Sequence, residues 1–266
     1  MFDTKSPKRP LVIITRPQAD ASTLENTLCQ MDGFPAHEAC CLPMLEIKPL
    51  ELDAQQLQQA LSPNPSGLMV TSRYALNTEL MQRLDKKMPI YAVGDKTAKA
   101  IIALGFDNVY SGAGGLKGLI ALIKTAHKAL SQTPLLYLRG EDIRMHAHTA
   151  LAEAGINVQT LVTYKAKKVQ TISIAAFNQI QERLSSGHEM YVLLFSRRTA
   201  ENWNSQVDCK IAPDHVKQIH YVCLSDAVAQ AIDADDARIH TAIDPTQAAL
   251  IECLKQRIED NEQRFG

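Results

Sequence analysis

The chain has 266 residues, is 45% hydrophobic, and carries 28 basic against 29 acidic side chains for a net charge of −1. That is apolar material for one large or two modest domains. The charge balance lacks the basic surplus of a nucleic-acid binder, and no apolar run approaches the length that spans a bilayer, so neither nucleic acid nor membrane is expected as a partner.

After a charged, Pro-rich start, residues 11–15 form an apolar run that reads as a strand buried on both faces and ends at Arg16-Pro17. The run is too short for a signal-peptide core, so a cytoplasmic protein is expected. Residues 20–31 place Leu24 and Leu28 at helical spacing, with Gly33 as a stop. Residues 39–50, with Pro43, Pro49 and alternating Leu45 and Ile47, predict an extended segment outside any wound unit. Strands are predicted at 67–71, 90–93 and 109–111, and a helix at 95–104 closed by Gly105. The stretch 112–115 is Gly-rich but lacks both the P-loop ending and G-x-G-x-x-G, and reads as a plain loop.

Residues 135–138 predict another buried strand, followed by Arg139-Gly140 and a helix over 142–154 that stops at Gly155. A second extended segment, 159–171, carries the basic cluster Lys165, Lys167 and Lys168. Strands follow at 191–195, 220–224 and 238–241, then a helix at 246–258 and a polar, frayed tail at 259–266. Short apolar runs alternating with helices predict an α/β fold, with parallel sheets flanked by helices.

The chain also repeats itself. The run ending in Thr15-Arg16-Pro17 is answered by the run ending in Leu138-Arg139-Gly140. The run into Thr71-Ser72-Arg73 is answered by Phe195-Ser196-Arg197, and Tyr91-Ala92-Val93-Gly94 by Tyr221-Val222-Cys223-Leu224-Ser225. Such a repeat predicts two similar domains, and a cleft between domains is a preferred ligand site. The repeat by itself would cut the chain near residue 130. If 39–50 and 159–171 are crossings instead, the chain visits one domain, then the other, then returns. Periodicity does not choose between these.

Each repeated strand end faces the start of a helix, where free backbone N–H groups and partial positive charge suit carboxylate or phosphate. Arg16 and Arg139 would add bidentate anion recognition, while a surface arginine paired with a nearby acid is the plainer alternative. Thr71-Ser72 and Ser196-Arg197 can touch ligand or cap the next helix. His146 and His148 lie two apart with no third ligand, so no metal site is expected. No nucleophile signature is present. The six cysteines form no CxxC pair and read as reduced core thiols.

Taken in order, these motifs resemble the uroporphyrinogen-III synthase family. The matching residues are Thr15-Arg16-Pro17, Pro43, Thr71-Ser72, Ala92-Val93-Gly94-Asp95-Lys96-Thr97-Ala98, Leu138-Arg139-Gly140-Glu141-Asp142-Ile143-Arg144, Val162-Thr163-Tyr164-Lys165, Ser196 and the turn at 223–229. The resemblance implies two similar α/β domains joined by a two-stranded β-ladder. The first would hold 1–38 with 170–266, the second 46–160, and the linker strands 39–45 and 161–169. It implies an enzyme, a cyclising hydro-lyase of tetrapyrrole and heme biosynthesis. That enzyme closes hydroxymethylbilane to uroporphyrinogen III with inversion of the terminal pyrrole and loss of water, without cofactor or metal. It would act as a monomer, on substrate handed over by the preceding pathway enzyme. Tyr164 is the implied catalytic residue, assisting the departing hydroxyl. Arg16, Pro17, Thr71, Ser72, Gly94, Thr97, Arg139, Gly140, Arg144, Ser196, Arg197 and Ser225 are the implied substrate contacts. Two departures are visible: Ile143 stands where the family has a glycine, and Val228 where the second Gly-x-x-Thr-Ala turn has its threonine. A two-domain protein that binds a small anion without catalysis is the alternative, and a nucleotide-binding α/β enzyme is disfavoured by the missing Gly-rich fingerprint.

Overall fold

The computed structural model describes residues 8–62, 64–112, 115–126, 133–142 and 145–265. From the amino end the elements are β1 (Leu11–Ile14), α1 (Gln18–Gln30), β2 (Glu38–Cys41), β3 (Leu45–Pro49), α2 (Ala54–Leu61), β4 (Gly67–Val70), α3 (Thr78–Arg83) and β5 (Ile90–Val93). Next come α4 (Asp95–Ile102), β6 (Val109–Gly112), α5 (Gly115–Ala126), β7 (Leu135–Gly140), α6 (Met145–Glu153) and β8 (Val158–Lys168). The remainder is α7 (Ile174–Ser185), β9 (Met190–Leu194), α8 (Arg197–Gln206), β10 (Ile219–Cys223), α9 (Asp226–Ala229), β11 (Ile239–Thr241) and α10 (Gln247–Phe265).

The chain divides into two compact units, Met1–Glu46 with Lys167–Gly266, and Ile47–Ala166. It leaves the first unit within β3 and returns within β8. In the first unit five parallel strands lie in the order β11-β10-β9-β1-β2. This is the doubly wound, flavodoxin-like order. In the second, β8-β7-β4-β5-β6 are parallel, with β3 beside β8 at the edge. Leu50 donates to the Thr163 carbonyl and Val169 to the Met44 carbonyl, so β3 runs antiparallel to β8. The two parallel sets correspond strand for strand: β1 to β7, β2 to β8, β9 to β4, β10 to β5, β11 to β6. Only the point of chain entry differs.

Both sheets are covered on both faces, which is why their strands read as unbroken apolar runs. In the first unit Leu11, Ile13, Val192 and Leu194 meet Ile180, Leu184 and Trp203 on one side. Val12, Ile14, Tyr191 and Leu193 meet Leu24, Leu28, Leu250 and Leu254 on the other. In the second unit Leu68, Val70, Ile90 and Leu136 face Leu57, Leu80 and Ile101, while Met69, Tyr91 and Tyr137 face Leu119, Ile123 and Leu151.

Several expectations need correction. Residues 39–41 of the expected linker belong to β2, which pairs in parallel with β1 across Leu11↔Glu38 to Ile14↔Cys41. Residues 161–164 likewise belong to β8 where it pairs with β7. The tail is no frayed end: α10 continues to Phe265, supported by Lys255–Glu259 and Arg257–Asp260 pairs and by Tyr191, whose hydroxyl donates to the Arg257 carbonyl at 3.1 Å. The cysteines are all free, but Cys29 and Cys209 are exposed rather than in the core.

Candidate strand-end site

In each sheet the winding direction reverses once, between β1 and β9 in the first unit and between β4 and β7 in the second. Ligands of open α/β sheets bind at the carboxyl ends of the strands beside such a reversal. Arg16-Pro17 and Ser196-Arg197 flank the first reversal, and Thr71-Ser72 and Arg139-Gly140 the second. Ser225 follows the neighbouring β10 and Gly94 the neighbouring β5. Arg144 lies outside the described residues.

The helix starts at these edges fall into two kinds. Ser72 accepts from the Tyr74 amide at 3.3 Å and so caps the 3-10 turn Arg73–Ala75. Ser196 accepts from the Thr199 amide at 3.2 Å and pairs with the Thr199 hydroxyl at 2.8 Å. These two serines are turned toward their own helices. The start of α1, at Pro17, and that of α4, at Gly94, have no side-chain cap. Gly94 adopts φ +78 and ψ 155, a conformation essentially reserved for glycine. Thr97 is buried in the first turn of α4. Ser225 makes no cap hydrogen bond either, but α9 behind it spans only Asp226–Ala229.

The two arginines differ sharply. Arg16 donates to Asp20 at 3.2 Å and to Gln247 at 3.0 Å, and its guanidinium lies 4.7 Å from the centre of the Phe195 ring. The acid-paired alternative is therefore the one the structure realises for Arg16. Arg139 donates instead to backbone, to the carbonyls of Gly140 and Glu141 at 2.9 and 3.3 Å. Arg197 is exposed and pairs with Glu201 at 3.1 Å. Hydrogen bonds from Lys168 first and Arg197 second hold that carboxylate below its usual range.

Tyr164 sits on β8 beside a bulge between Arg139 and Gly140. Its ring lies against Gly140: a Cβ there would come within 2.7 Å of Tyr164 Cζ and 3.0 Å of its hydroxyl. The Tyr164 carbonyl accepts from the Glu141 amide at 2.8 Å, and Tyr74 approaches its ring at 6.2 Å between centroids. On the next strand Thr71 and Tyr137 share a hydroxyl hydrogen bond of 3.3 Å. The second unit thus brings Tyr164, Gly140, Arg139 and Thr71 together at one edge.

Sequence reasoning missed Asp20, Phe195 and Gln247 around Arg16. It also missed a polar cluster in the amino half of the first sheet. There His220 lies 3.2 Å from both His240 and Glu189. Burial first, then the charges of His220 and Arg257, push His240 down to about 4. Nearby in the same unit, burial raises Asp208 to about 6 despite hydrogen bonds from Tyr221 and Trp203. Among the described residues no group of three or more His, Cys, Asp or Glu could hold a metal ion, and no helix is long and apolar enough to cross a membrane.

The construction is that of a duplicated, doubly wound α/β protein. The family model for uroporphyrinogen-III synthase HemD matches residues 28–252, and the chain belongs to that family. It is a cyclising hydro-lyase of tetrapyrrole biosynthesis that converts hydroxymethylbilane to uroporphyrinogen III. Among solved structures, the fold is similar to uroporphyrinogen-III synthetase from Helicobacter pylori, with TM-score 0.55, 18% identity, and coverage of 94% of this chain and 100% of that one. A mutant uroporphyrinogen III synthase from the extremely thermophilic bacterium Thermus thermophilus aligns at TM-score 0.49 and 15% identity over 96% and 99%. No curated protein matches the chain in sequence.

Proposed function

We propose that the cyclisation is carried by placement of the substrate rather than by a nucleophile or cofactor. Hydroxymethylbilane is a flexible polyanion whose two ends must meet, and holding them in the reacting geometry lowers the barrier without further chemistry. Each unit by itself offers one uncapped helix start whose amides suit a substrate carboxylate, that of α1 in the first and that of α4 in the second, where Arg139 adds a guanidinium donor. The observation that carries this reading is the contrast between those two open helix starts and the neighbouring ones, whose amides Ser72 and Ser196 already occupy. Ser225 and Thr71 contribute side-chain hydroxyls at the same edges.

Tyr164 donates a hydrogen bond to the hydroxyl that leaves, stabilising negative charge as it develops there. Gly140 supports the role, since only a residue without a side chain lets the ring lie where it does. The finer expectations from the family resemblance belong to this reading too: a cytoplasmic monomer that receives its substrate from the preceding pathway enzyme. The test is turnover of enzymatically generated hydroxymethylbilane with the isomers of the product resolved. Tyr164→Phe is expected to slow the reaction yet leave measurable type III isomer. Complete loss in a well-folded variant would overturn the distributed mechanism.

A further inference from the structure

Arg16 bridges three chain connections at the carboxyl edge of the first sheet. It holds Asp20 in the first turn of α1, Gln247 at the start of α10, and stacks on Phe195 at the end of β9. A guanidinium committed this way has one fork arm on an acid and another on an amide oxygen, so its use as a carboxylate clamp is largely spent. Its grip on Gln247 fixes one end of the five-residue connection 242–246. The other end is tied by the Ala242 amide to the Cys223 carbonyl at 2.9 Å. Between them the Thr246 amide bonds the Asp244 carbonyl at 2.7 Å, Thr246 caps α10 through the Ala249 amide at 3.2 Å, and Pro245 restricts the backbone further.

This pinned loop displays Ile243, which is 93% exposed. A lone exposed isoleucine is ordinary on a protein surface. This one stands just past β11 at the carboxyl edge of the sheet, on a loop held at both ends, while Phe195 and Leu224, which follow β9 and β10 at the same edge, are half-buried and packed on the core. The corresponding end of β4 in the second unit carries Thr71 instead of an aromatic. Hydroxymethylbilane presents apolar pyrrole faces as well as carboxylates, and amides alone recognise only the latter.

We propose that Arg16 is a positioning residue that holds the 242–246 loop so that Ile243 packs against a pyrrole ring of the substrate. The inference rests on the reading above and deepens it. Covering one face of an isoleucine corresponds to roughly a five- to tenfold change in binding.

The test is steady-state kinetics of the full chain on hydroxymethylbilane, with melting curves for every variant. Ile243→Asn is expected to raise KM roughly five- to tenfold with kcat and melting temperature unchanged. Ile102→Asn, an exposed position at the far end of α4, is expected to leave KM alone. Arg16→Gln should raise KM in the wild-type background but add little to Ile243→Asn, because both act through the same contact. Arg16→Lys, keeping the charge without the fork, should behave as Arg16→Gln does. An unchanged KM in Ile243→Asn, fully additive effects of the pair, or rescue by lysine would each overturn the proposal. Wild-type protein that forms no type III isomer would instead sink the underlying reading, and so the two failures are told apart.

Discussion

The two units share one spatial order of strands yet differ in how the chain threads them and in what their strand ends carry. In the first unit the residue after the arginine is Pro17; in the second it is Gly140, because the ring of Tyr164 from the neighbouring strand occupies the space. The counterpart of β8 in the first unit is β2, which ends in Cys40 and Cys41 and offers no such ring. Arg16 is spent on holding its surroundings, whereas Arg139 holds backbone carbonyls at a bulge. Duplication thus supplied two equivalent edges, and different side chains have turned one toward an apolar, braced surface and the other toward a tyrosine on an open backbone.

The largest effect is expected where the units differ most. Gly140→Ala should push the Tyr164 ring aside and lower kcat at least about tenfold, since small displacements of a positioned group are costly. The equivalent change in the first unit, Pro17→Ala, should leave kcat within about twofold, because no ring leans on that residue. Turnover assays beside melting curves check both, and equal losses at the two positions would end the functional contrast between the edges.

A second comparison concerns backbone strain. Gly94 holds φ +78, while its counterpart Ser225 sits at φ −163 in ordinary extended backbone. Gly94→Ala is expected to cost about 1–3 kcal/mol of stability. Ser225→Ala, which removes no capping bond, should cost less than about 0.5 kcal/mol. Chemical denaturation of the two variants at neutral pH measures this difference.

The smallest effect belongs to the first unit's buried ionisable groups, which oppose each other. His240 titrates near 4 in the folded protein, below the ordinary 6.5, so its contribution is intact above about pH 6.5 and is lost as pH falls toward 4. Asp208 titrates near 6 when folded, above the ordinary 3.8, so its contribution is greatest at low pH and is lost as pH rises through 6. The two slopes partly cancel between about pH 4 and 6. Each is worth of the order of 1–2 kcal/mol after allowance for partial exposure. Asp208→Asn should therefore make stability fall more steeply on acidification, and His240→Gln should make it fall less. Denaturant melts across about pH 4–7 would show parallel curves if these groups were not responsible.

The buried strands were legible because a sheet covered on both faces demands consecutive apolar residues, as in Leu11–Ile14 and Met190–Leu194. The wound strand β2 was not, because EACC followed by prolines carries no such pattern. Asp20 lies one helical turn beyond Arg16, a spacing at which ion pairs form, and so was within reach of sequence reasoning. Gln247 and Phe195 were beyond it, since only the fold brings residues so distant in the chain together. The repeat did locate equivalent strand ends correctly. It could not tell that the equivalent strands are exchanged between units, because a repeat reports local similarity and not which strands pair. The continuation of α10 had a readable signal in its Lys255–Glu259 and Arg257–Asp260 spacings.

The threading also sets an order of assembly on the ribosome. Ile47–Ala166 is a single stretch of chain, so that sheet can close as soon as its last strand has emerged. The strand β1 is made before the second unit, but its free edge is filled by β9, which is complete only after residue 194 has been added. At usual synthesis speeds of about 5–20 residues per second that is a delay of roughly ten to forty seconds. Throughout it, Leu11–Ile14 is an apolar strand with one edge unfilled, open to pairing with another nascent chain. The exposure of β1 during translation is therefore built into the topology.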